Sequence, residues 1–353
     1  MRLKEALKGK YTSLLGMLFF VVVFYSLLFF SGRLTAEDPS LKAVLKKTSV
    51  ANEKLTPEKM AQKEARFKAN LLARPRLMRN LNLLSFFTLL SGLAVNIYWF
   101  KRFLLEKPLL EAKINFPEAG WGMFEVSQVF VGLFFVEACF LLVELAASPW
   151  VRRSVSSKDF LVILSGFGRD FIIALWVIHL VTSRFHEPLT SLGLTLKNLF
   201  KNIRVGLVAY LGILPLLAFL LALTAVLAQV FSYDPPAQAV VEIYFKKSTE
   251  KFIIFLTFFV TVAGPVVEEI FFRGFAYGAA RKRYGPVVAM LLTSFIFSVM
   301  HLSWLAFLPI FFLGIFLAYL YEKTGSLVPS MSAHILHNVI MVCLTLGFKK
   351  LSA

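Results

Sequence analysis

From Thr12 onward the chain returns repeatedly to near-continuous apolar stretches of about membrane-spanning length, and that recurrence constrains its fold more than any other feature. A hydrocarbon layer about 30 Å thick is crossed by roughly 20 residues of helix. The candidate spans are Thr12–Ser31, Leu83–Phe100, Val126–Ala147, Phe160–Thr182, Val205–Phe231, Phe252–Phe272, Val287–Met300, Leu305–Tyr321 and Leu327–Phe348. The seventh is short, so its helix is expected to begin earlier or to tilt. Hydrophobic residues are 58% of the 353 and charged residues 17%, outside the usual range of soluble domains. The expected fold class is all-α, a polytopic helical membrane protein with eight or nine transmembrane helices.

Cys139 and Cys343 both lie in apolar stretches, so neither a disulfide framework nor a zinc-ligand spacing is visible. A formal charge of +17 suits contact with anionic headgroups of a lipid bilayer. The basic residues are spread through the loops and form no single face, which argues against nucleic acid as a partner. An N-terminus on the cytoplasmic side puts Lys101, Arg102, Arg184, Lys197, Lys201, Arg204, Arg281, Lys282 and Arg283 in cytoplasmic loops. The polar loop 33–82, with twelve Lys and Arg, then faces outward. This topology gives a multi-pass protein of the cell membrane with Glu268 toward the cytoplasmic face, at the end of an inward-running helix. The first span is longer than a signal-peptide core and is expected to stay as an anchor.

Within the polar loop, Leu55-Thr56-Pro57-Glu58 reads as a helix start, and Met60, Phe67 and Leu71 recur on one side among basic residues. Leu196–Arg204 and Val240–Lys251 read as interfacial helices.

Ionisable groups inside spans cost several kcal/mol unless partnered, so each is a functional candidate. The third span carries Glu137 and Glu144, the fourth Arg169, Asp170 and His179. Their expected role is an interhelical ion-pair cluster, with substrate contact or proton handling as the alternative. In the sixth span stands Glu268-Glu269-Ile270-Phe271-Phe272-Arg273. Glu269 and Arg273 are four apart on a helix and can pair, whereas Glu268 is rotated by about 100° and is free to face a cavity. That division suits a general base beside a structural neighbour. His334 and Asn338, also four apart, share a face and are expected to donate to one oxygen, as an oxyanion site would require. His301, from another helix, is placed to hold water against Glu268. His337 is expected to serve as an interhelical hydrogen-bonding group.

These three motifs, Glu268–Arg273, Phe297 to His301 and His334 to Asn338, resemble in order and type the pattern EExxxR, FxxxH, HxxxN. That pattern belongs to the CPBP or Abi family of CAAX prenyl proteases and bacteriocin-processing membrane endopeptidases. The resemblance covers roughly Leu192–Phe348, most strongly from Gly264, and implies a membrane protease domain over residues 192–353. Residues 1–191 form an amino-terminal transmembrane region that it does not reach. It implies a conical active-site cavity in which Glu268 activates water, His301 helps bind it, and His334 with Asn338 stabilises the oxyanion. Glu269 and Arg273 would orient the site, no cofactor would be needed, and the substrate would be a membrane-anchored peptide or protein, prenylated or of bacteriocin type.

Three other readings compete. Two histidines and two glutamates could ligate zinc in a metalloprotease, although His186-Glu187-Pro188-Leu189-Thr190 starts like the H-E-x-x-H signature and then departs from it. A peptide-binding immunity protein or scaffold could use the same cavity without cleavage. A transporter could use Glu137, Glu144, Arg169 and Asp170, but no inverted repeat supports one.

Overall fold

The computed structural model describes residues 69, 72–105, 116–151, 155–231, 239–245 and 249–352. Among these residues every extended element is helical and none is a strand. In chain order the helices are α1 (Pro75–Leu104), α2 (Met123–Val151), α3 (Val155–His179), α4 (Leu199–Val230), α5 (Ala239–Phe245), α6 (Glu250–Tyr284), α7 (Pro286–Met300), α8 (Trp304–Thr324) and α9 (Leu327–Ser352). Six of them, α2, α3, α4, α6, α8 and α9, are long and apolar enough to cross a membrane. The polytopic all-α architecture is therefore established. The short seventh span begins one residue earlier than expected and stays short, at 15 residues. Leu83–Phe100 lies within α1. Thr12–Ser31 and the segment from Leu55 to Leu71 lie outside the described residues, apart from Ala69, which is helical.

Two of the expected interfacial helices take another form. Asn198 adopts a left-handed conformation (φ 55°), and α4 then runs unbroken from Leu199 to Val230, so Leu199–Arg204 is the first part of a long span. Of Val240–Lys251, the first part lies in the short helix α5 and the last two residues already belong to α6.

Close helix crossings depend on small residues where backbones meet, as packing between apolar helices in lipid requires. Gly206 on α4 lies directly against the Pro329 carbonyl of α9, leaving no room for a Cβ. Asn96 on α1 donates to the Gly212 carbonyl of α4 at 2.9 Å. One buried core joins Trp121, Val129 and Val177 from the amino-terminal half to Ile270, Phe275 and Tyr321. Trp121 also donates its indole N–H to the Phe275 carbonyl at 2.8 Å, so the strand-less segment before α2 is pinned to α6.

Helix α6 positions the site. The expected span closed at Phe272, but the helix continues to Tyr284 through two π-helical segments, Phe259–Ala263 and Ile270–Tyr277, on either side of Gly264–Glu269. Each π segment inserts a residue into the α register and changes which face the next turn presents. Glu268 therefore sits in the middle of a long helix and not at its end. Gly285 (φ 79°) turns the chain directly into α7.

Helices α6 and α9 end on opposite faces: α9 starts beside the α8 terminus at Gly325, and its last turn lies about 35 Å further along. In a chain with Cys139 and Cys343 replaced by serine, cysteines introduced by Arg283→Cys and Lys350→Cys should react with an impermeant maleimide from opposite sides of sealed vesicles. Labelling of both from the same side would contradict this arrangement.

Candidate active site

The centre of the site is a buried triad. Arg273 Nη1 donates to Glu269 Oε1 at 2.8 Å, and the same oxygen lies 2.9 Å from His334 Nδ1. The side chains of Glu269, Arg273 and His334 are 0%, 1% and 3% exposed. An ionised Glu269 accepts from both neighbours, which fixes His334 with its proton on Nδ1. Arg273 is held further by the Gly314 carbonyl, 3.3 Å from Nη2, and by the Phe297 ring, 4.4 Å from its guanidinium carbon. Phe297 also packs edge-on against His301 and His334, with centroids 4.7 and 5.8 Å apart. The motif phenylalanine is thus the apolar wedge between the cation and both imidazoles.

Glu268, one residue earlier, stands in a different setting. Its side chain is 30% exposed and lines a cavity of about 510 Å³ together with His301, Arg169, Asp170, Leu302 and Val240. Its Oε2 is buried without a hydrogen-bond partner and lies 3.6 Å from His334 Nε2, beyond hydrogen-bonding distance. With His334 Nδ1–H committed to Glu269, a neutral imidazole presents its Nε2 lone pair toward a carboxylate oxygen.

Glu268 and His301 meet because of hairpin register. Glu268 lies 17 residues before Gly285 and His301 lies 16 after it, so antiparallel α6 and α7 bring both to one height. His301 Nδ1–H donates to the Phe297 carbonyl at 2.7 Å, and a carbonyl can only accept. The neutral ring therefore keeps Nε2 as an acceptor, suited to a water proton.

Within the protein, His334 and Asn338 each hold a different acceptor on α6. Asn338 Nδ2 donates to the Val260 carbonyl at 2.8 Å, within the first π segment of α6. A π segment disturbs the α ladder, and the carboxamide takes up the carbonyl presented there. One of its two amide hydrogens remains for another acceptor. Helix α9 is consequently docked on α6 by His334 and Asn338 side by side. His337 takes the interhelical bond expected of it, with Nδ1 3.0 Å from the Tyr210 hydroxyl of α4.

The amino-terminal cluster is partly the ion-pair network expected. Arg169 Nη1 donates to Glu137 Oε2 at 2.7 Å, joining α3 to α2, and its Nε donates to Asp170 Oδ1 at 2.9 Å. The sequence gives no sign that Arg169 and Asp170 also form a wall of the Glu268 cavity, where Asp170 is a like-charged neighbour of Glu268. A charged pair in mid-span is a signal that reports the cluster but not which cavity it faces. The side chain of Glu144 lies outside the described ones. Glu187 accepts from Ser191 Oγ at 2.8 Å, away from the site. Among the described residues no three His, Cys, Asp or Glu side chains are grouped to hold one metal ion.

Fold and site together define a polytopic helical membrane protein with two adjacent carboxylates and two imidazoles gathered where α6, α7 and α9 meet. Residues 250–340 match the family described as Type II CAAX prenyl endopeptidase Rce1-like, and all three motifs fall inside that segment. Over 86 residues, 24% of this chain, the sequence is 30% identical to "Putative membrane peptidase YdiL" of Bacillus subtilis (strain 168). The matched stretch covers 35% of that protein, about a third of its length. No solved structure matches the chain.

Removing one partner of a buried ion pair leaves an uncompensated charge, at a loss of about 3–5 kcal/mol. Arg273→Met should therefore lower the thermal unfolding midpoint in detergent strongly, and Arg273→Met with Glu269→Gln should recover much of the loss. Equal destabilisation by the single and the double variant would mean that the pair is not what holds the site.

Proposed function

We propose that this protein is an intramembrane peptidase of the CAAX protease type in which Glu268 activates water. The observation that carries the reading is the contrast between two adjacent carboxylates. Glu269 is sealed from solvent with its Oε1 shared between Arg273 and His334, whereas Glu268 is 30% exposed and lines a cavity; each keeps an Oε2 without a hydrogen-bond partner. Environments that separate two neighbouring carboxyls in this way are how acid–base roles are divided in enzymes.

In the proposed reaction a water molecule sits between Glu268 and His301 Nε2. As its oxygen attacks the peptide carbonyl carbon, one water proton passes to Glu268 and the C=O electron pair moves to oxygen. The donors offered to that oxyanion are the second amide hydrogen of Asn338 and Nε2–H of a doubly protonated His334, whose Nδ1–H stays on Glu269. The tetrahedral intermediate then collapses, the C–N bond breaks, and Glu268–H protonates the leaving nitrogen. Glu269 and Arg273 act through His334 by fixing its ring and tautomer, as the buried acid does in a hydrolase triad. The substrate is a membrane-anchored peptide or protein, and the reaction uses only groups of this chain. The active cavity belongs to the domain 192–353, with α3 of the preceding region supplying one wall.

Two comparisons test this. Membrane proteomes of the native host carrying wild-type or Glu268→Gln protein should differ by terminal fragments present only with wild type. A general base is worth roughly 10²–10⁴ in rate, so cleavage of such a fragment's parent by purified Glu268→Gln protein should fall by at least that lower factor. Wild-type activity should survive chelation. Loss on chelation with recovery on adding zinc would favour a metalloprotease. Equal product from both proteins would leave peptide binding without cleavage.

A further inference from the structure

The wall that α2 and α3 give to the Glu268 cavity carries charge that the peptidase chemistry leaves unused. On α2, Leu133 and Glu137 are four apart and share a face, and Arg169 and Ile173 do the same on α3. Leu133, Arg169, Asp170 and Ile173 all line the cavity. The Gly264–Glu269 part of α6 packs against α3, which makes Asp170 a like-charged neighbour of Glu268.

Two acids share one guanidinium in this wall. Arg169 Nη1 donates to Glu137 Oε2 at 2.7 Å and Nε donates to Asp170 Oδ1 at 2.9 Å, so the triplet keeps one negative charge in excess. The Asp170 side chain is 25% exposed, and its Oδ2 is in no hydrogen bond with a described residue. His301 adds no charge while its Nδ1–H is held by the Phe297 carbonyl. The cavity thus shows two carboxylates, Asp170 and Glu268, against a guanidinium already shared with Glu137.

Ionised carboxylates in an apolar setting are costly unless a cation pairs with them, and the rest of the lining decides which cation fits. Leu133, Ile173, Val267, Phe271 and Phe272 make the surroundings apolar. A metal ion would need several ligands together, and among the described residues His, Cys, Asp and Glu are nowhere grouped in threes for one. A lysine or arginine side chain has both halves of the required chemistry: methylenes for the apolar lining and a charged tip for Asp170. A carboxylate in the same space, such as a free C-terminus, would instead meet two like charges. Arg169 has N–H groups to spare, but its charge is already spent on two acids.

We propose that Asp170 is a specificity-determining residue: it receives the ammonium or guanidinium of a basic substrate residue bound beside the scissile bond, so that the cavity selects membrane-anchored peptides with lysine or arginine there over peptides with a carboxylate. That the ligand is a substrate rests on the peptidase reading. The charge preference of the cavity does not.

The test uses palmitoylated peptides with a photo-cross-linking residue, in which lysine, glutamine or glutamate is placed at one position at a time. Binding is read as cross-linking yield at sub-saturating peptide with the full chain in phosphatidylcholine nanodiscs, and cleavage by mass spectrometry of the same peptides. The zwitterionic lipid adds no attraction for cations, and the chain's own charge of +17 favours glutamate everywhere except at a local acidic site. At one position the lysine peptide should exceed the glutamate peptide by at least about ten-fold, the lower end of what one charged hydrogen bond contributes. Asp170→Asn, which can still accept from Arg169 Nε, should bring the two yields together and leave the glutamine yield unchanged. Asp170→Glu should keep the lysine preference. Equal yields in the wild-type scan, a preference for glutamate, or a lysine preference that survives Asp170→Asn would overturn the assignment. Lysine-selective binding with no cleavage of any peptide would count against the peptidase reading and leave the cation site standing, whereas cleavage without charge preference would do the reverse.

Discussion

The buried contact of one carboxylate oxygen with a guanidinium and an imidazole supports the rest of this molecule's chemistry. Glu269, Arg273 and His334 are almost wholly out of solvent, inside a helical assembly where an unpaired charge would be untenable. Their pairing through Glu269 Oε1 does two things. It fastens α9 to α6, and it spends the charge of Glu269 so that the carboxylate beside it remains the one facing the cavity. Phe297 completes the arrangement by sealing the cation from above while setting the plane of both histidines. Each motif thus contributes a part to one unit: an acid pair with its arginine, a wedge with its imidazole, and a second imidazole with an amide clasp.

Much of this is legible in the sequence because helical spacing alone decides it. Four residues separate Glu269 from Arg273, which makes the pair; the 100° step to Glu268 makes the divergence. The recurring apolar stretches give the membrane class, and His337 behaves as an interhelical hydrogen-bonding group. What spacing cannot reveal is a change of helical register. The two π segments of α6 alter its local register, extend the expected span to Tyr284, and present the Val260 carbonyl that Asn338 takes. An ideal-helix reading puts His334 and Asn338 on one face, and the folded chain gives each an acceptor on α6 that this reading does not show. Arg169 and Asp170 illustrate a second limit: sequence marks them as needing partners, but only tertiary packing brings them to the Glu268 cavity.

The distribution of motifs along the chain also has a structural meaning. The segment that matches the CAAX prenyl endopeptidase family holds Glu268, His301, His334 and Asn338, and α2 and α3 supply core contacts and a charged wall that lies outside it. A reaction centre of one type can be given a different approach by changing the helices around it. Leu302 and Arg169 line the same cavity, so its wall mixes apolar and charged side chains.

The division of labour between the two glutamates is tested most directly by infrared difference spectroscopy of the carboxyl bands during a pH titration in lipid. Glu268→Gln and Glu269→Gln identify which band belongs to which residue. The account predicts that the signal removed by Glu268→Gln changes between carboxylate and carboxylic acid as pH is varied, while the signal removed by Glu269→Gln stays that of a carboxylate throughout. A titrating Glu269, or two acids that change together, would contradict it.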